Sequence, residues 1–336
     1  MPIKHSKAEQ VSWKTIVANY HFSEFTKSMW QFINSFIPFV FTWILMYLSL
    51  DVSYWLTLTL ALPASGFIMR IFIIQHDCGH GSFFESRKAN DALGMFCSIF
   101  TLTPYHYWRK SHALHHANVG KTERRGAGDF YTLTVSEYLQ RNKLGRLKYR
   151  LYRNPFILFL ILPSVLFLFL YRFPFFSKTG ILKSLHSTVY ITNLVIAALA
   201  GTIIFLIGLK SFLLVQAPII AISLSAGTWF FYVQHQFEDT YWDNDDQWDY
   251  TEAALRGSSY YKLPRILQWF TGNIGFHHIH HLSPRVPNYN LEKCHKENPL
   301  FEKTTILTLR SSLRSIFLTL WDEDSKKLIS FKQLKN

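Results

Sequence analysis

The stretch 31–80, QFINSFIPFVFTWILMYLSLDVSYWLTLTLALPASGFIMRIFIIQHDCGH, decides the fold. Its first part, Gln31–Leu50, carries no charge and is rich in Phe, Ile and Leu. After Asp51 a second apolar run, Tyr54–Met69, continues through Arg70 to Ile74 and ends on two histidines. A bilayer core of about 30 Å takes about 20 apolar residues as a helix. The two runs therefore read as a hairpin of spanning helices. Further along, Tyr190–Gly208 and Phe212–Gln234 are likewise uncharged over most of a span and form a second hairpin. The expected fold class is an all-α integral membrane protein with about four spanning helices in two hairpins.

Composition agrees. Of 336 residues 49% are hydrophobic and only 17% are charged, against about 25% charged in a soluble domain. The 30 Phe and 10 Trp exclude a disordered chain, and three cysteines exclude a disulfide scaffold. There is no internal repeat.

Two apolar segments are shorter, Ala92–Trp108 and Phe156–Tyr171, with Pro163 inside the latter. Each covers roughly 25 Å as a helix, less than a full crossing. Charge orients them. Arg109–Asn154 holds eleven Lys or Arg against three acids, and Arg172, Lys178 and Lys183 follow without an acid. The N-terminus carries Lys4, Lys7, Lys14 and Lys27, whereas the hairpin tips have only Asp51 and Lys210. The positive-inside rule puts all the basic segments in the cytoplasm, so both short segments are expected to dip in and return. The expected division is a cytosolic N-terminus, 1–28, then membrane helices over 29–234 with cytosolic histidine segments 76–91 and 109–154. A cytosolic cap, 235–336, completes it. The first 28 residues are polar, so no cleavable leader is expected and the first apolar run stays as an anchor. The net charge of +13 beside membrane spans points to lipid headgroups or an acidic protein partner, not to nucleic acid.

Fifteen histidines are present, and most fall in groups. His76 and His80 are spaced i, i+4; His112, His115 and His116 are i, i+3, i+4; His277, His280 and His281 repeat that pattern. On a helix each group presents its rings from one face. With His235, at the end of the last span, the set is too large for one metal ion and fits two, each taking about four or five imidazoles. Neutral imidazole suits iron, zinc, copper and nickel. The cysteines form no CxxC pair, and HExxH and the paired Glu-x-x-His motifs of soluble di-iron bundles are both missing. Two irons held almost entirely by histidine fit best. His5, His21, His106, His186 and His295 read as ordinary polar residues, His278 faces away from its neighbours, and Cys78 reads as a packing residue. Asp77, Glu238, Asp239 and Asp129 are candidates to accept the outer ring N–H groups of the ligands. Gly79 and Gly81 would let helices approach closely.

At these residues the chain resembles the membrane-bound fatty acid desaturase family, through the boxes HDCGH, HALHH and HHIHH in order, spacing and topology. FYVQHQFEDTYW, HHIHHLSPRVPNYNLE and LWDEDSKKLISF further resemble Bacillus-type acyl-lipid desaturases that form a delta-5 double bond in phospholipid chains. The resemblance runs from about residue 29 to the end. It implies a helical membrane base, a cytosolic cap and two irons held by His76, His80, His112, His115, His116, His235, His277, His280 and His281. In animal relatives an Asn one turn before the lone histidine acts through water; here that position is Phe231, and Gln234 or Asn273 are the substitutes nearby. The implied reaction uses dioxygen and two electrons to remove two hydrogens from a saturated chain, leaving a cis double bond.

No heme, flavin or GxGxxG signature is present, so electrons come from a separate protein, an acidic ferredoxin or flavodoxin steered by the basic surface. Pro264–Phe276 and Thr304–Trp321 read as interfacial amphipathic segments that rest the cap on the membrane, favouring an acyl-lipid substrate. A hydroxylase or ketolase would share the same histidines and is the alternative. A metal transporter would place ionisable residues inside the spans, where there are almost none.

Overall fold

In the computed structural model, residues 7–126, 128–174 and 184–334 are described. His5, Lys4, Lys178 and Lys183 lie outside them. Helix α1 is Lys7–Ala18. The apolar runs become α2 (Phe25–Ser49) and α3 (Tyr54–His80), later α9 (His186–Ile207) and α10 (Leu209–His235). All four are long and apolar enough to cross a membrane.

Their pairing follows from small residues on α2. Small Ser28, Ser35, Thr42 and Ser49 alternate with Gln31, Phe39 and Met46 on its buried face, at three- and four-residue spacing. That stripe lets the α2 backbone lie close to α3, as small side chains do at helix interfaces in lipid. The hydroxyls bond within the membrane layer: Thr42 Oγ1 donates to the Pro38 carbonyl at 2.7 Å, and Ser49 and Thr57 pair at 2.7 Å. Helix α3 is the best buried span, held between α2, α10 and the shorter helices. The main membrane core joins Ile68, Ile71, Ile74 and Cys78 of α3 to Met46, Cys97, Val215 and Ile219.

Neither short apolar segment forms one straight helix. Residues 92–108 divide between α4 (Arg87–Thr101) and α5 (Tyr105–Asn118). The break falls at Leu102, at φ +56°, and Pro104. The turn is fixed beside α3, where Gln75 Nε2 donates to the Thr103 carbonyl at 3.1 Å and Gln75 Oε1 accepts from Thr101 Oγ1 at 2.5 Å. After α6 (Val135–Gln140) and α7 (Lys143–Tyr152), the chain bends by 59° into a π-turn, Ile157–Ile161, and α8, Leu162–Leu168.

The rest is short: α11 (Tyr250–Arg256), α12 (Arg265–Phe270), α13 (His277–Leu282), α14 (Asn288–Lys296) and α15 (Leu309–Ser312). Two small sheets join these pieces, an addition to the all-helical expectation. Strand β1 (Leu133–Thr134) runs parallel to β4 (Leu320–Asp322), which pairs antiparallel with β5 (Lys327–Ile329). Strand β2 (Tyr260–Lys262) runs parallel to β3 (Ile306–Thr308). The segments expected to be amphipathic helices are therefore much shorter as helices: α12 ends at Phe270, and 304–321 is broken into β3, α15, a 3₁₀ turn and β4.

Candidate metal centre

Helix ends bring the histidines together. Gly81 at φ +72° closes α3 by bonding back to the Asp77 and Cys78 carbonyls, which leaves His76 and His80 on its last turn. A left-handed residue directly after a helix favours glycine. Helix α5 supplies His112, His115 and His116; α10 ends on His235; α13 consists of the third box.

The rings form two groups. His76, His80, His112, His116 and His280 present nitrogens within 4.8 Å of one another, and His115, His235, His277 and His281 do the same. The nine sort five and four. In the first group the Nε2 separations are 3.1 Å for His76–His280, 3.0 Å for His280–His116 and 3.1 Å for His116–His112. In the second they are 3.0 Å for His277–His235, 3.1 Å for His281–His277 and 3.3 Å for His115–His281. Neutral imidazoles carry one N–H each, so they cannot all be hydrogen bonded to each other through Nε2. The spacing is that of adjacent ligands on one ion at metal–nitrogen bonds of about 2.1 Å. His80 Nε2 is buried with no hydrogen-bond partner, as a ligand atom aimed at an ion would be.

The electrostatics suit ligation. Burial holds His112, His115, His116, His277, His280 and His281 well below the ordinary imidazole pKa, and crowding by neighbouring rings adds to it. They are therefore neutral, the form that binds a metal.

Outer contacts fix ring orientation. His76 Nδ1 lies 3.1 Å from Asp77 Oδ1, and His235 Nδ1 lies 3.1 Å from the Gly257 carbonyl. Asp77 Oδ2 in turn accepts from the backbone N–H and side-chain amide of Asn288 at 2.7 and 2.9 Å. The Trp108 ring stacks on His112 at 4.8 Å between centroids. Asn288, Gly257 and Trp108 carried no signal in the sequence, because nothing local ties them to a histidine. Asp129 lies in the loop over His115, its charge acting on His235, and burial raises its carboxyl pKa.

Other expectations are corrected. Glu238 and Asp239 are exposed and turn to Lys327, at 3.9 and 2.8 Å, because a charged pair is better solvated at the surface than beside the rings. Asn273 accepts from Gln268 and donates to the Asn288 carbonyl in the tight turn after α12, away from the nitrogens. Gln234 donates to the Ile274 carbonyl at 2.9 Å, and Phe231 packs its ring on His115 at 4.9 Å. In agreement with the sequence reading, His278 lies outside both groups, pairing with His295 at 3.2 Å, and Cys78 packs in the core as a buried free thiol.

A cavity of about 610 Å³ opens onto both groups. His76, His112, His115 and His277 form one end. Its walls are mainly apolar side chains of α3, α8 and α10, and on α10 they run from Gln216 to Gln234. That is about 27 Å of helix. Gln216 at the far end accepts from Trp43 Nε1 at 3.0 Å.

A helical scaffold with four helices apolar enough to span a membrane and nine imidazoles sorted around two points, at the end of a long apolar cavity, defines a membrane protein with a histidine-rich candidate metal centre. Comparison narrows this. The family model for fatty acid desaturases matches residues 52–308. The chain is 49% identical to a fatty acid desaturase of Bacillus subtilis over 320 residues, covering 95% of this chain and 90% of that protein. It is 29% identical to the sn-1 oleoyl-lipid 12-desaturase of a Synechocystis strain, covering 69% of this chain and 67% of the relative. The sn-1 acyl-lipid omega-3 desaturase (ferredoxin) of a Nostoc strain is 29% identical, covering 67% of this chain and 62% of the relative. This chain belongs to the fatty acid desaturase family, a family of oxidoreductases.

Proposed function

We propose that this protein is an oxygen-dependent acyl-lipid desaturase. In this reading it introduces a cis double bond, at the delta-5 position by resemblance, into saturated phospholipid acyl chains. The observation that carries the reading is the apolar cavity ending on two imidazole groups. A saturated chain advances about 1.3 Å per carbon, from a C–C bond of about 1.52 Å. A wall of about 27 Å thus accommodates about twenty carbons.

In this reading His76, His80, His112, His116 and His280 hold one iron, and His115, His235, His277 and His281 hold the other. Bound iron would supply the dioxygen chemistry that breaks an unactivated C–H bond, which no acid or base here could do. The chain's own residues do the rest. Asp77 and the Gly257 carbonyl hold the outer nitrogens of His76 and His235, so Nε2 points inward. Trp108 and Phe231 pack the rings and keep water out. The walls of α3 and α10 hold the chain against the histidine end of the cavity, so geometry selects the carbon pair.

Electrons come in this reading from an acidic ferredoxin or flavodoxin on the cytoplasmic side of the cell membrane. His80, His112 and His116 are only partly buried. Arg87, with an exposed side chain, and Arg109 flank Asp91 beside Gly79 and Gly81. That surface suits an acidic carrier next to the rings.

The test is expression in a host that lacks unsaturated lipids, beside His80→Ala, with the double bond located by mass spectrometry of derivatised esters. A new monounsaturated chain absent from the variant supports the reading. A hydroxylated chain would move the site to the hydroxylase alternative.

A further inference from the structure

Strand β2, just before the first of the two segments expected at the membrane interface, pairs with β3 of the second. In β2–β3, Tyr261 pairs with Leu307 and Lys262 with Thr308. Tyr261 and Leu307 turn inward onto Tyr232 and Val233 of α10 and onto Leu158. Tyr261 Oη lies 3.0 Å from Ser312 Oγ, which fixes α15 against the pair. The outward side carries four exposed cations, Lys262, Arg265, Arg310 and Arg314. Among the described residues none of the four makes an ion pair, and none is among those with further contacts. Interleaved with them along the chain stand Ile266, Leu309, Leu313 and Phe317, exposed by 67, 42, 56 and 63%, while the Trp269 ring packs under Arg70 of α3. Leu158 and Phe230, which pack beneath this surface, also line the cavity.

Apolar side chains that stand out among unpaired cations suit the headgroup layer of a membrane. The apolar groups enter the acyl boundary and the cations meet phosphate. We propose that this surface is a headgroup platform that selects anionic phospholipid and holds it where its acyl chain can enter the cavity. The inference rests on the acyl-lipid reading and adds the headgroup class.

The test compares two double variants with equal charge loss. Arg310→Gln/Arg314→Gln alters the platform, and Lys293→Gln/Lys296→Gln alters the exposed side of α14, where each lysine has a partner one turn away. Purified full-length protein in mild detergent is mixed with equal phosphatidylglycerol and phosphatidylcholine. Co-eluting lipid is measured by mass spectrometry. Each platform cation is worth about fivefold in anionic preference. The platform variant should therefore lose most of the enrichment and the α14 variant should keep it. Equal enrichment in parent and platform variant, or equal loss in both doubles, would overturn the proposal. Lipid retention needs no turnover, so it separates this proposal from the desaturase reading. If the parent forms no double bond in cells yet retains anionic lipid, the function is wrong and the platform stands.

Discussion

Replacing Asp77 by Ala tests how the tertiary structure aims a histidine. Asp77 is 2% exposed and Asn288 is 1% exposed. The carboxylate accepts two Asn288 N–H bonds and lies 3.1 Å from His76 Nδ1. Without it three polar groups lose their acceptor in a buried place, at about 1–3 kcal/mol each. The sum is on the order of 3–9 kcal/mol, part of which relaxation or an entering water recovers. Because α3 and α14 are joined here across 211 residues, the loss also frees the third histidine box. Metal affinity should fall about 10–100-fold, as it does when an outer partner of a ligating histidine is removed. Asp77→Asn should lose less, since one oxygen can still face His76 while its amide opposes the Asn288 donors. The assay is metal bound per chain during chelator titration, read beside thermal unfolding. If Asp77→Ala held metal as tightly as the parent and unfolded at the same temperature, the positioning argument would be wrong.

His80→Ala and His235→Ala strike different groups, so each should lower bound metal by about half, with the remaining ion kept by the other group; elemental analysis of the purified variants reads this. Gly227 lines the cavity eight residues before His235, about 12 Å along α10. Gly227→Leu should shorten the usable depth and shift products toward shorter acyl chains, and an unchanged fatty-acid profile would exclude this wall as the measure of length. Gly94 packs on the Tyr105 ring, which an added Cβ would overlap, while Tyr105 Oη donates to the Cys78 carbonyl at 2.8 Å. Gly94→Ala should cost about 1–3 kcal/mol by overpacking, seen as a lower unfolding temperature with the metal sites still filled.

Much of the architecture was legible because the bilayer imposes a local rule. A span must be long, apolar and helical, and each run declares this by itself. The histidine groups were legible for a similar reason, since i, i+3 and i+4 spacing sets ring direction within one helix. Even the exclusion of His278 followed from its place on α13. What spacing could not give was partition. That His280 joins His76 while His277 and His281 join His115 depends on how α13 sits between α3, α5 and α10.

The same limit explains the failures. Glu238 and Asp239 are near His235 in sequence, but the chain leaves α10 immediately after it and carries them to Lys327. Asp77 was visible as a neighbour of two ligands; Asn288, which anchors it, was not. The short apolar segments showed their insufficient length in the sequence, yet their breaks at Leu102–Pro104 and at the π-turn answer to packing against α3 and α10. The sequence thus determined the spans and the ring faces, because bilayer thickness and helical period act over a few turns of one chain. The tertiary structure alone decided the five-and-four division, the orienting partners and the cavity, because these are contacts between residues far apart in sequence, made only when helices dock.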